Sequence, residues 1–228
     1  MKIICLQSSL GKKYVMAVTG FALFGFVIMH MLGNLQVFLG PNQINRYAQF
    51  LQSNVELVWA ARLGLLLMVT LHIVSAVLVS IENKAARPEP YGHYQAAAGS
   101  YASRTMLMSG LIVATFIVYH LLHYTVQVQA INLTGQDFVT LHDDQGRHDV
   151  YRMMIVGFSN LWVSGFYVLG MALLALHLSH GASSMFQSLG WKNGKYGRWI
   201  DRLACAAALI IFLGYCSVPV AVLTGLVK

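Results

Sequence analysis

Long apolar runs separated by short polar stretches organise the chain. The runs fall at about 14–38, 57–81, 105–130, 153–180 and 203–227. Each is long enough to cross a hydrocarbon core, which takes about 20 residues of helix. The runs are continuously apolar rather than alternating, so they read as helices and not as barrel strands. The pattern predicts an all-α membrane protein of five transmembrane helices, with residues 1–228 forming a single domain. The connections 39–56, 82–104, 131–152 and 181–202 are too short for an independent domain. Arg87-Pro88-Glu89-Pro90 makes a stiff, non-helical turn in one of them. No internal repeat or low-complexity tract is evident. The first run follows Lys12-Lys13 but exceeds the length of a signal-peptide core, and no A-x-A site follows it, so it reads as a retained span.

Composition agrees with the pattern. Of 228 residues, 57% are hydrophobic and 10% charged, where a soluble domain carries about 25% charged residues. A disordered chain or an ordinary globular domain is excluded. The net charge of +7 does not point to nucleic acid, because the basic residues lie between apolar runs rather than in one patch. Cys5, Cys205 and Cys216 form no CxxC pair, so neither a disulfide framework nor an iron–sulfur site is supported.

The basic residues set an orientation. With the N-terminus inside, ten lie on the inner side: Lys2, Lys12, Lys13, Lys84, Arg87, Arg104, Lys192, Lys195, Arg198 and Arg202. Five lie outside: Arg46, Arg62, Arg147, Arg152 and Lys228. The expected topology is therefore N-terminus in, C-terminus out.

Histidine carries the chemistry. His93, His142 and His148 fall in connections, whereas His30, His72, His120, His123, His177 and His180 fall within the runs. A polar side chain inside a membrane needs a partner and marks a functional site by default. Depth sorts the six. At about 1.5 Å per residue, His30 and His120 lie at one level towards the outer side. His72, His177 and His180 lie at another towards the inner side. Two imidazoles opposed at one depth are what a bis-histidine haem b requires, and two such layers would carry electrons across most of the bilayer. A histidine-lined transporter without haem is the reading from another class. Transport favours acidic residues within the spans, and Glu56 and Glu82 sit only at span ends. The doubled histidines leave a choice: His120 and His123 share a helix face, as do His177 and His180. Gly181 after His180 would make room for a macrocycle, with His177 as the alternate.

Ser8-Ser9-Leu10-Gly11-Lys12-Lys13, Ala17-Val18-Thr19-Gly20, His30 and Gly33-Asn34-Leu35 resemble the opening of the cytochrome b558 subunit of succinate dehydrogenase. So does His177-Leu178-Ser179-His180-Gly181 followed by Ser184-Met185-Phe186-Gln187-Ser188-Leu189-Gly190. This family is the single-chain, five-helix, dihaem membrane anchor of succinate:quinone and quinol:fumarate oxidoreductases (respiratory complex II). The resemblance covers nearly the whole chain. It implies two haems b, with His30 and His120 holding the distal one and His72 and His180 the proximal one. It also implies a flavoprotein partner with covalent FAD, an iron–sulfur partner, a membrane quinone (menaquinone), a bacterial inner-membrane location and a complex able to form a higher oligomer. Dicarboxylate chemistry would belong to the flavoprotein, since this chain has no nucleotide fingerprint. A dihaem cytochrome b of another dehydrogenase, such as hydrogenase or formate dehydrogenase, is the neighbouring reading.

Haem propionates would need donors. Ser103, Arg104, Lys192 and Lys195 are available on the inner side, and Arg46, Tyr47 and Arg62 on the outer side. Arg62 lies within the apolar edge of the second run and should have a partner. For quinone, Glu56 is the one acidic residue near the distal level, and Ser8, Ser9 and Lys12 mark a second candidate place.

Overall fold

The computed structural model describes residues 8–86 and 105–228. Ser103, Arg104 and His93 lie outside the described residues. The fold is 81% helix, with no strand among the described residues. Helix α1, Ser9–Asn34, runs into a 3₁₀ turn at Leu35–Leu39. Next come α2, Pro41–Ser53, and α3, Val55–Ala85. Helix α4, Met106–His120, ends in a π turn at Leu121–Thr125. Then follow the short α5, Gln129–Asn132, then α6, Val150–Ser159, α7, Leu161–Ser188, and α8, Gly197–Leu223.

Five of these segments are long and apolar enough to cross a membrane: Ser9–Leu39, Val55–Ala85, Met106–Thr125, Leu161–Ser188 and Gly197–Leu223. Their outer faces present large apolar side chains, among them Phe21, Met29, Leu63, Leu66, Leu111, Leu209 and Ile210. Exposed apolar surface on this scale suits lipid rather than water.

The fourth crossing differs from the sequence expectation of 153–180. It begins at Leu161 because the apolar run is cut by a polar pair. Helix α6 starts where Asp149 accepts a hydrogen bond from the Arg152 amide at 2.9 Å, and it ends at Ser159. Asn160 then caps α7, its Oδ1 accepting from the amides of Trp162 at 2.9 Å and Val163 at 3.2 Å. The crossing also ends eight residues later than expected, at Ser188, so His177 lies near its middle rather than at its end.

The connection after α1 also contains a helix. Gly40 adopts φ +95°, which reverses the chain, and Pro41 opens α2. Fully buried Asn45 ties α2 to the loop before α6. Its amide donates to Asp143 at 3.2 Å and Asp149 at 2.9 Å, and its carbonyl accepts from the Tyr151 amide at 2.9 Å. Arg147 completes this knot with Asp143 at 2.7 Å and Asn42 at 3.1 Å.

The chain forms two compact units: 1–26, 63–111 and 176–208 make the first, and 27–62, 112–175 and 209–228 the second. Each of the five long segments contributes to both. A core of Val37, Ile44, Phe116, Met154, Phe158, Val163, Tyr167 and Cys216 fills the second unit.

Candidate functional site: two facing histidine pairs

In the first unit, His72 of α3 faces His177 of α7. Their ring centroids are 6.4 Å apart and the planes cross at 68°. In the second unit, His30 of α1 faces His120 of α4, with centroids 5.7 Å apart and planes at 79°. A metal–imidazole bond of about 2 Å puts two rings on opposite sides of one metal about 6 Å apart, centroid to centroid. Both separations fit one iron held by two imidazoles.

The hydrogen bonds of the first pair fix which ring nitrogen is free. Buried Thr19 donates its hydroxyl proton to the Val15 carbonyl at 2.7 Å, so its oxygen accepts from His72 Nδ1 at 3.2 Å. The Met16 carbonyl, which can only accept, lies 3.1 Å from the same Nδ1. His72 therefore carries its proton on Nδ1 and leaves the Nε2 lone pair for a metal. Buried Ser109 acts the same way. It donates to the Met106 carbonyl at 3.2 Å and lies 3.4 Å from His177 Nδ1. Metal-ligating histidines depend on such partners to set tautomer and ring orientation.

Glycine makes these contacts possible. A Cβ on Gly20 would lie 3.2 Å from His72 Cε1, and a Cβ on Gly110 would lie 3.2 Å from His177 Cε1. Each histidine ring thus packs against a glycine next to the hydroxyl that holds it.

These contacts reveal an internal repeat that the apolar runs conceal. Met16-x-x-Thr19-Gly20 precedes His30 with nine residues between, and Met106-x-x-Ser109-Gly110 precedes His120 with nine between. The following helices carry Leu71-His72-Ile73 and Leu176-His177-Leu178. In each copy the hydroxyl–glycine step of one helix holds the histidine of the next membrane-crossing helix. The signal is short and sits among interchangeable apolar residues, which is why it did not stand out.

His180 is not the residue opposite His72. Its Nε2 lies 2.8 Å from Ser184 Oγ, one turn along the same helix. Gly181 has nothing closer to a built Cβ than Met106 Cε at 3.8 Å. His123 is fully buried, and its Nδ1 lies 3.0 Å from the Tyr167 hydroxyl. That hydroxyl also lies 3.3 Å from His120 Nδ1. Phe116 stacks on His120 with centroids 6.3 Å apart and planes at 18°.

The other predicted site residues are placed as follows. Lys192 is committed to Asp201 at 2.6 Å and Ser183 at 2.9 Å. Lys12 is buried and paired with Glu82, which also accepts from Ser9 at 2.9 Å. Sequence reasoning had not linked those three. Lys195 is exposed, over the Tyr196 ring at 5.3 Å. Tyr47 packs against the Gly33 backbone, where a Cβ would lie 3.2 Å from its ring. Arg46 and Glu56 are exposed, Glu56 in the first turn of α3. Arg62 is exposed with its guanidinium 5.3 Å from the Trp59 ring centroid.

No protein-family model, curated protein or solved structure matches the chain.

Proposed function

We propose that the chain is a dihaem membrane cytochrome b. It would serve as the anchor and electron-transfer subunit of a succinate:quinone or quinol:fumarate oxidoreductase, placed in a bacterial inner membrane with its N-terminus inside. One observation carries the haem reading: two histidine pairs face each other at bis-imidazole separation, in a chain with five membrane-length helices. In the first pair, the hydroxyls of Thr19 and Ser109 hold Nδ1–H and free Nε2 for the metal. The ligands proposed are His72 with His177, and His30 with His120. His177 replaces His180 because it is the residue that meets His72.

Haem, when bound, supplies reversible one-electron chemistry. The chain's own residues orient the ligands, exclude water with apolar helix faces, and fix the imidazole tautomers. The assignment to complex II is supported by the motif resemblance around Lys12, Thr19-Gly20, His30 and His177 to Gly190. Succinate chemistry would lie on a flavoprotein with FAD, and an iron–sulfur partner would link it to this anchor. Quinone reduction at Glu56 remains part of the proposal, since a carboxylate can exchange protons with a quinone.

A pyridine haemochrome assay on the purified chain should give two haems b, and one or none would overturn the reading. Native purification should bring down a flavoprotein and an iron–sulfur protein. Copurification of a hydrogenase or formate dehydrogenase instead would keep the haems and reassign the enzyme.

A further inference from the structure

The corner between α2 and the start of α3 forms a groove of about 380 Å³, lined by Leu51, Gln52, Val55, Val58, Trp59 and Arg62. Two features of the groove point to a ligand. The first is the groove's composition: its walls are mostly apolar, with one guanidinium and one amide as polar groups. The second is Arg62 itself. It lies seven residues into α3, about 10 Å along the helix, and is the one charged residue between Leu57 and Ile81. The ion pairs among the described residues are Lys12–Glu82, Arg147–Asp143 and Lys192–Asp201. Arg62 is in none of them. Glu56, six residues earlier, is off the three- and four-residue spacing that lets helical side chains meet. A guanidinium at the apolar edge of a membrane helix must find an anion or reach the headgroups.

We propose that this groove binds an anionic phospholipid, its phosphate held by the Arg62 guanidinium and its acyl chain lying along Val55 and Val58. The phosphate matches the fork of the guanidinium, which can donate two parallel hydrogen bonds. Gln52 adds a neutral donor. Trp59 supplies an amphipathic ring of the kind enriched at membrane interfaces. Helix α2 forms the second wall, with exposed Arg46 and Phe50 on its outer side. A haem propionate is a poorer fit. Tyr215 lies against His30, and Phe116, Tyr124 and Tyr167 lie against His120; none of these lines the groove. The site goes beyond the electron-transfer reading and does not depend on it.

The test uses the full chain in detergent, with phosphatidylglycerol or phosphatidylcholine added and bound lipid read by native mass spectrometry. Wild type should prefer phosphatidylglycerol. R62Q should weaken that lipid by about fivefold, the effect expected of one cation at an anionic membrane surface, with a smaller loss for phosphatidylcholine, whose phosphate charge is offset by its own choline. R62K should retain most of the preference, and R46Q all of it. Equal phosphatidylglycerol binding by R62Q and wild type would overturn the proposal. So would loss of haem from R62Q with lipid binding intact, which would return Arg62 to the cofactor. A measurement on tryptophan avoids the charge variant altogether. The Trp59 fluorescence, taken as wild type minus W59F, should be quenched more by brominated phosphatidylglycerol than by brominated phosphatidylcholine. Equal quenching would contradict the site.

Discussion

At the scale of single residues, the partner of one imidazole nitrogen fixes which nitrogen is left for a metal. His72 Nδ1 has two acceptors, Thr19 Oγ1 at 3.2 Å and the Met16 carbonyl at 3.1 Å. His177 Nδ1 has Ser109 Oγ alone among the described residues, at 3.4 Å. An acceptor on Nδ1–H raises the basicity of the ligating nitrogen and favours the oxidised metal. Ser109→Ala should therefore raise the midpoint potential of the haem proposed for this pair, measured by potentiometric titration. Thr19→Val should raise it less, because Met16 remains. Equal shifts would mean that the Met16 carbonyl contributes nothing. The histidines themselves were plain in the sequence, because a polar ring inside an apolar run stands out. Which of His177 and His180 faces inward was not. The sequence expectation placed a glycine, Gly181, beside a macrocycle rather than beside an imidazole. The glycines that touch the rings are Gly20 and Gly110, on other helices, and only folding brings them there.

At the scale of elements, span count was legible and span boundaries less so. Hydropathy averages over a window, so Ser159-Asn160 vanished inside a run that is apolar on both sides. The cap at Asn160 decides where α7 begins, and its continuation to Ser188 leaves His177 at mid-span. Close helix packing supports the second pair. A Cβ on Gly170 of α7 would come within 2.5 Å of the Phe116 ring, which stacks on His120. Gly170→Ala should cost about 1–3 kcal/mol by overpacking. Its spectrum should change in the His30–His120 component and not in the other.

The loop from 141 to 149 should respond to pH in two steps. Burial pushes the His148 imidazole down, helped by His142, while the Leu141 carbonyl and Asp149 offset this in part. Burial pushes the Asp143 carboxyl up, but donors from Arg147, Gln145 and Asn45 outweigh it and hold it below the usual carboxylate range. Both groups have folded pKa values below their unfolded ones. Their stabilisation is complete at neutral pH and is lost on acidification. His148's share should fall away as pH drops below about 6.5, and Asp143's below about 3.9. Hydrogen exchange of the Gln145 and Arg147 amides, both bonded to Asp143, should quicken across these two windows. A single step at the lower pH would remove His148 from the account.

At the scale of the whole molecule, each compact unit contains one histidine pair, and each pair takes one ring from either copy of the repeat. His30 and His72 come from the first copy, His120 and His177 from the second. A repeated two-helix motif accounts for why four facing histidines arise from two short patterns: a hydroxyl–glycine step before one histidine, and a leucine–histidine step on the next membrane-crossing helix. The arrangement makes a pairwise prediction that single substitutions can check. His72→Ala and His177→Ala should each remove the same component of the reduced-minus-oxidised spectrum, because they would strip one iron from opposite sides. His30→Ala and His120→Ala should each remove the other. His180→Ala and His123→Ala should leave two haems per chain, since Ser184 already holds His180 Nε2 and the rings that face His72 and His30 are those of His177 and His120. If His180→Ala abolished the component that His72→Ala removes while His177→Ala spared it, the facing pair would be wrongly assigned and α7 would have to turn by about 60°, since three residues span about 300° of a helix. If instead His72→Ala and His120→Ala removed one component together, the pairing itself would fail, and with it the separation of the two sites into two units.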